Sequence, residues 1–241
     1  MPRFTAVLFD VDDTLIAGTP DYVDLYAVCA RESGVELTRR DVLKALFSTW
    51  TDQSSGHADA PPQGGAADAS YEHAVQEEAK VYAAAGAGDR TRAIVERFLA
   101  RSVSPEIFRP YPEAPAVLTA LRAAGLRLGL LTNRTWRVRE FLADIGLARY
   151  FDEIVASGAL GLHKPDPRIF HYALHALGAS EAATLYVGDS QLFDLVGARK
   201  AGLAVVWVNR RGEKLREGVP APDGEMPDLT GLPAFLQIAS R

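Results

Sequence analysis

The chain has one cysteine in 241 residues, Cys29, so no disulfide can form within it. Its setting, LYAVCARES, is helical and mostly apolar, which suits a buried, inert thiol better than a nucleophile. Basic residues are outnumbered, 26 Lys and Arg against 31 Asp and Glu, for a net charge of -5. That balance excludes a basic surface for nucleic acid or for an anionic membrane. No apolar run approaches the roughly 18 residues a membrane helix needs. The opening MPRFTAVLFD turns charged too early for a signal peptide, and the cytoplasm is the expected compartment. The sequence has no internal repeat. One segment lacks apolar periodicity altogether: TDQSSGHADAPPQGGAADAS, residues 51–70, reads as a loop, with His57 in solvent.

What remains is 48% hydrophobic and 24% charged, ample for a sizeable core. Five short runs are almost continuously apolar: 5–9, 126–132, 153–157, 183–188 and 204–209. Unbroken apolar runs, as opposed to alternating ones, predict strands of a parallel sheet covered on both faces. Helical spacing lies between the later runs. Val117, Leu118 and Leu121 precede Gly125; Val138, Phe141, Leu142 and Ile145 precede Gly146. Ile169, Phe170, Ala173, Leu174 and Leu177 precede Gly178, and FDLVGARKAG ends at Gly202. The alternation predicts an α/β fold with a Rossmann-like, doubly wound parallel sheet.

Residues 16 to about 106 break this rhythm and read as helices alone. Their apolar stripes are Tyr22, Leu25, Tyr26 and Cys29; Val42, Ala45, Leu46 and Trp50; Tyr71, Val75, Ala79 and Tyr82; and Ile94, Val95, Phe98 and Leu99. Thr38, with Asp41 three residues on, opens the second. The expected organisation is a core of residues 1–15 and 107–241 with a helical insert over 16–106. Trp50 is expected in the insert's own core. PDLTGLPAFLQIA is expected to add a short edge element and a last helix. Arg210 and Arg211 are expected in solvent, and nothing separates a monomer from a homodimer.

In an open parallel sheet the site lies beyond the carboxyl ends of the strands. The first run ends in Asp10, Asp12, Asp13 and Thr14, and the second in Thr132 and Asn133. The third is followed by Lys164 in SGALGLHKPDP, and the fourth by Asp189, Ser190 and Asp194 in GDSQLFD. Each taken alone has an ordinary explanation as a turn, a cap or a solvated charge. Together, acids, a hydroxyl and an ammonium converge on one edge. Crowded carboxylates repel, and a hard divalent cation relieves them. Oxygen ligands without histidine favour Mg²⁺ over Zn²⁺. A metal, a lysine and a threonine around one aspartate suit a phosphoryl group.

These segments resemble the haloacid dehalogenase-like (HAD) hydrolase superfamily over residues 4–15 and about 107–209. The matching motifs are DVDDT, LGLLTN, KPDP and GDSxxxD, and the insert stands where the first subfamily carries a helical cap. The resemblance implies Asp10 as nucleophile through an aspartyl-phosphate and Asp12 as general acid and base. It implies Thr132, Asn133 and Lys164 around the phosphate. It implies Mg²⁺ held by Asp10, the Asp12 carbonyl and Asp189, with Asp194 reached through water. The implied activity is a Mg²⁺-dependent phosphatase acting on a small phosphorylated metabolite. The alternatives are a haloacid dehalogenase, a phosphomutase or a non-catalytic binding module of the same fold. Asp12 and Asp189 argue against the dehalogenase, which lacks the second aspartate. Asp13 stands where many members have glycine and is expected to turn outward. Gly158 stands where relatives often carry glutamate. For cap residues that touch a substrate, IAGTPD and the stretch around Trp50 to His57 are the candidates by position.

Overall fold

The computed structural model describes residues 4–52 and 70–238; His57 lies outside them. The chain begins with β1 (Ala6–Phe9) and β2 (Ile16–Gly18). Then come α1 (Tyr22–Glu32), α2 (Arg39–Asp52), α3 (Tyr71–Ala84) and α4 (Thr91–Ser102). β3 (Phe108–Pro110) leads to α5 (Ala114–Ala123), β4 (Arg127–Thr132), α6 (Val138–Asp144) and β5 (Glu153–Ala156). The remainder is α7 (Pro167–Leu177), β6 (Thr184–Gly188), α8 (Val196–Lys200), β7 (Ala204–Val208), β8 (Gly224–Met226) and α9 (Leu232–Phe235).

Six strands form one parallel sheet in the order β5-β4-β1-β6-β7-β8. The five apolar runs supply five of them. Side chains alternate between faces. Val7, Phe9, Leu128, Leu130, Leu185 and Val187 belong to one buried cluster, whereas Leu8, Leu131, Tyr186, Val205 and Trp207 belong to the other. Both faces are therefore dry along the five apolar runs, which is why no polar residue lies in the interior of β1, β4, β5, β6 or β7. The chain winds outward from β1 through β4 to β5, then returns to add β6 on the other side of β1. The winding reverses at β1, so the crevice opens at its carboxyl end.

The sixth strand, β8, lies at GEM, just before the stretch expected to form the edge element. It is short and carries one buried residue, Met226, so its sequence gave no strand signal. α9 completes the expected last helix. α7 shows local rules at work. Asp166 caps its start, accepting from the Arg168 N–H at 2.9 Å, and Gly178 ends it at φ 63°, a left-handed conformation that costs glycine little.

β2 and β3 pair antiparallel, Ile16 opposite Pro110 and Gly18 opposite Phe108. They bracket the four described α-helices of the insert. Three expected stripes are buried as read: on α1, on α2 and on α4. At the centre Tyr26 stacks on Phe98 at 4.0 Å, with Tyr22 and Tyr82 beside them. The stripe on α3 is different. Tyr71 is exposed and Ala79 only partly covered, whereas Glu77 and Glu78 join Ala74, Val75, Val81 and Tyr82 in the buried set. Cys29 is buried and unpaired, and burial pushes its thiol up to about 11.

Candidate active site

The carboxyl end of β1 delivers Asp10 into the crevice. Its Oδ1 accepts from Lys164 Nζ at 2.5 Å, and its Oδ2 from the Thr14 hydroxyl at 3.0 Å. The same lysine donates to Asp194 Oδ1 at 2.7 Å and to the Tyr186 hydroxyl at 3.1 Å. Tyr186 in turn donates to Asp194 Oδ1 at 2.7 Å, and the Ser190 N–H donates to Asp194 Oδ2 at 2.9 Å. Asp194 thus helps to hold Lys164. Gly188 makes the approach possible: a Cβ there would lie 2.5 Å from Asp194 Cγ.

Burial favours the neutral form of an acid. It pushes Asp10 up to about 7, against the pull of Lys164 and helped by Asp194 and Asp12. Burial, Asp10 and Asp194 likewise hold Asp189 well above the carboxylate range. Burial alone would lower Lys164, but Asp10 and Asp194 outweigh it and hold the ammonium above its usual value. Carboxylate oxygens of Asp10, Asp189 and Asp194 lie within 4.8 Å of one another. Three crowded acids with oxygen donors, two of them driven toward protonation, fit a hard divalent cation. The carbonyl of Asp189 is itself fixed by the Trp207 indole N–H at 2.7 Å.

The end of β4 supplies the rest. Thr132 is buried, and its hydroxyl oxygen accepts from the Arg134 N–H at 3.2 Å, which leaves its own proton to donate. Asn133 is expected near the phosphate through backbone N–H groups, and its side chain has another task. Its amide is consumed at both ends by Lys164: Nδ2 donates to the Lys164 carbonyl at 3.0 Å, and Oδ1 accepts the Lys164 N–H at 2.8 Å. Asn133 braces the lysine loop, and only its backbone remains for a ligand.

Four residues escaped the sequence reading. Arg134 is buried and grips Asp12 with two bonds, Nη2 to Oδ1 at 2.6 Å and Nε to Oδ2 at 2.8 Å. Tyr186 read as an ordinary strand residue, yet its hydroxyl joins the lysine cluster. Glu78 accepts from Thr135 at 2.6 Å and from Tyr26 at 2.5 Å, joining α3 to the loop after β4. His163, next to Lys164, is buried and stacks on Trp50 at 5.4 Å. A cation directly after a strand-end Thr-Asn pair was the one available signal for Arg134. Nothing local marked the other three.

Trp50 is buried in the same apolar cluster as Val42, Ala45 and Leu46, and it also packs across the gap, against His163 and edge-on to Phe193 at 5.0 Å. Arg210 is not a free surface cation. It lies 3.4 Å over the Tyr111 ring, donates to the Asp13 and Thr14 carbonyls and pairs with Glu113 at 2.8 Å. Arg211 links Asp13 at 2.7 Å to Asp21 at 2.9 Å. Asp13 adopts φ 55°, a left-handed conformation that glycine and aspartate tolerate, and its carboxylate turns to Arg211. Gly158 has its own reason: a Cβ would lie 2.5 Å from the Thr135 carbonyl oxygen.

A cavity of about 700 Å³ stands over this cluster. Asp10, Lys164 and Asp189 line its floor; Leu43, Leu46 and Trp50 of α2 line its roof, with Arg39 at the rim. The family model described as haloacid dehalogenase-like hydrolase matches residues 4–202. The chain belongs to the haloacid dehalogenase-like hydrolases. As a hydrolase of that family, it is 34% identical to a phosphoserine phosphatase of Thermus thermophilus, over 92% of this chain and 95% of that one. It is 31% identical to an (S)-2-haloacid dehalogenase of a Pseudomonas species, over 54% of this chain and 56% of that one. Among solved structures, a HAD phosphatase from Thermococcus onnurineus shares the fold with a TM-score of 0.62, at 24% identity, over 98% of this chain and 99% of that one. No helix among the described residues is long and apolar enough to cross a membrane.

Proposed function

We propose that the protein is a Mg²⁺-dependent phosphohydrolase that cleaves a small phosphorylated metabolite through an aspartyl-phosphate on Asp10. The observation that carries this reading is the contact of Asp10 Oδ1 with Lys164 Nζ at 2.5 Å, beside Asp189 and under the cavity. The phosphoserine phosphatase of Thermus thermophilus, similar along nearly its whole length, supports it.

Asp10, Asp189 and the Asp12 backbone carbonyl would hold Mg²⁺, with Asp194 reached through water. The bound ion supplies positive charge that offsets the acids and the phosphoryl oxygens. An Asp10 carboxylate oxygen attacks phosphorus as the bond to the alkoxide oxygen breaks. Asp12 gives that oxygen its proton. A water then loses a proton to Asp12 while its oxygen bonds phosphorus, and the acyl phosphate bond breaks to restore Asp10. Lys164 and the Thr132 hydroxyl donate to the phosphoryl oxygens throughout. The insert over 16–106 acts as a cap on a core of 1–15 and 107–241. It excludes water and carries the leaving-group contacts, with β2 and β3 as its hinge.

The test is hydrolysis of p-nitrophenyl phosphate with and without Mg²⁺. Turnover is expected only with metal, and Asp10→Asn is expected to abolish it. Halide release from a 2-haloacid, indifferent to EDTA, would instead make the protein a dehalogenase. Retention of Asp12 and Asp189 speaks against that outcome.

A further inference from the structure

Arg134 occupies a junction that the reaction scheme above does not use. Its side chain is 2% exposed, so the cation has left water almost entirely. Such burial is unfavourable unless partners compensate. Its partners come from three parts of the chain. Asp12 takes two donors of the guanidinium fork. The Ser102 carbonyl, at the last residue of α4, takes another. The rings of Tyr22 on α1 and Phe108 on β3 lie 4.4 Å from its carbon, and Phe141 on α6 lies at 4.8 Å.

A two-donor fork sets the plane of a carboxylate as well as its charge. Asp12 therefore cannot rotate while Arg134 is seated. Arg134 is seated in part by the insert, because Ser102 and Tyr22 belong to it. A cap that swung away about β2 and β3 would withdraw a carbonyl and an aromatic face from the guanidinium. We propose that Arg134 is a positioning residue that couples the insert to Asp12. It aims the Asp12 carboxyl at the departing alkoxide oxygen only while the insert is in place. The proton path is unchanged: it moves from Asp12 to that oxygen as the phosphorus–oxygen bond breaks. This inference rests on the phosphohydrolase reading and adds a gate to it.

The test compares two substrates at saturating Mg²⁺, glycerol 2-phosphate and p-nitrophenyl phosphate. The alkoxide of the first needs a proton to leave, and p-nitrophenolate does not. kcat/KM reports the steps up to loss of the alcohol. In Arg134→Met, kcat/KM for glycerol 2-phosphate should fall on the order of 100-fold, the usual worth of a general acid, with a far smaller fall for p-nitrophenyl phosphate. Arg134→Lys keeps the charge without the fork and should restore thermal stability but not the glycerol 2-phosphate rate. Tyr22→Leu leaves Arg134 in place and should shift the ratio the same way by a smaller factor. It also serves if Arg134→Met does not fold. Equal losses on both substrates, or full rescue by lysine, would overturn the proposal and leave Arg134 as structural glue. A wild-type enzyme inert toward both esters would remove the phosphohydrolase reading, a result distinct from either.

Discussion

The sheet layer and the helical insert both bury apolar faces, but they manage buried charge in opposite ways. In the sheet, acids and the lysine gather at strand ends, and they meet because parallel strands share one polarity. Lys164 and Asp10, 154 positions apart, touch at 2.5 Å. In the insert, two glutamates sit on a helix face that periodicity would fill with apolar residues. Glu78 finds one of its hydroxyl partners, Thr135, in the other layer, and Glu77 lies 3.6 Å from His163, also in that layer. The sheet concentrates charge for chemistry. The insert spends it on docking.

Four experiments would break or sharpen this contrast. The largest effect belongs to the sheet. Asp10→Asn should lower turnover of any phosphate ester by roughly 10⁴-fold or more, since loss of a covalent nucleophile removes the whole route. Steady-state assays with and without Mg²⁺ check it, and an unaltered rate would end the contrast at its source.

Next comes Lys164→Met. It leaves Asp10 and Asp194 buried without their cation, at a cost of about 3–5 kcal/mol. Urea unfolding reads the loss, and added Mg²⁺ should recover part of it. No recovery would mean that the three acids do not share a metal.

Glu78→Gln addresses the insert. Burial holds the Glu78 carboxyl at about 7, above an unfolded value of 4.5, despite its bonds to Thr135 and Tyr26. The folded chain therefore keeps a proton that the unfolded chain gives up. The stability this adds is complete below about 4.5 and is lost as pH rises through 7. Up to about 3 kcal/mol is at stake. Melting curves from pH 4.5 to 8 should show a decline in the wild type that is shallower in Glu78→Gln. Parallel curves would remove Glu78 from the docking account.

The smallest effect is local. Ser70 caps α3 by accepting from the His73 N–H at 3.2 Å, with no partner from the sheet. Ser70→Ala should cost about 1 kcal/mol, with the same loss of melting temperature whether or not Mg²⁺ is present. A loss that depends on Mg²⁺ would tie even this end of the insert to the site.

Much of the sheet was legible because each strand states its own case. Val7, Leu8 and Phe9 need no partner to read as buried on both faces, and Asp10 follows them directly. β8 failed that test: three residues with one buried methionine carry too little apolar pattern. The insert was legible as helices and as three of four buried stripes. It was not legible as a docked layer. Trp50 reads as insert core because its spacing on α2 is right, and it is buried in that cluster. Periodicity fixes which side of a helix is covered, not everything that covers it, and the cover also includes His163 and Phe193. The resemblance places Asn133 beside a ligand through backbone N–H groups. What the sequence did not show is that its side-chain amide matches the Lys164 backbone, a complementarity between residues 31 apart.

The sequence by itself determined the parallel sheet and the edge at which Asp10, Thr132, Lys164 and Asp189 gather. Those follow from short-range rules: apolar runs make buried strands, and the segments that follow a strand lie at its end. Only the tertiary structure decided that Arg134 holds Asp12, that Tyr186 and Asp194 hold Lys164, and that Glu78 joins the layers. Each is a pairing of buried polar groups. Removal from water forces such a group to find a partner in space, and position along the chain does not name the one it finds.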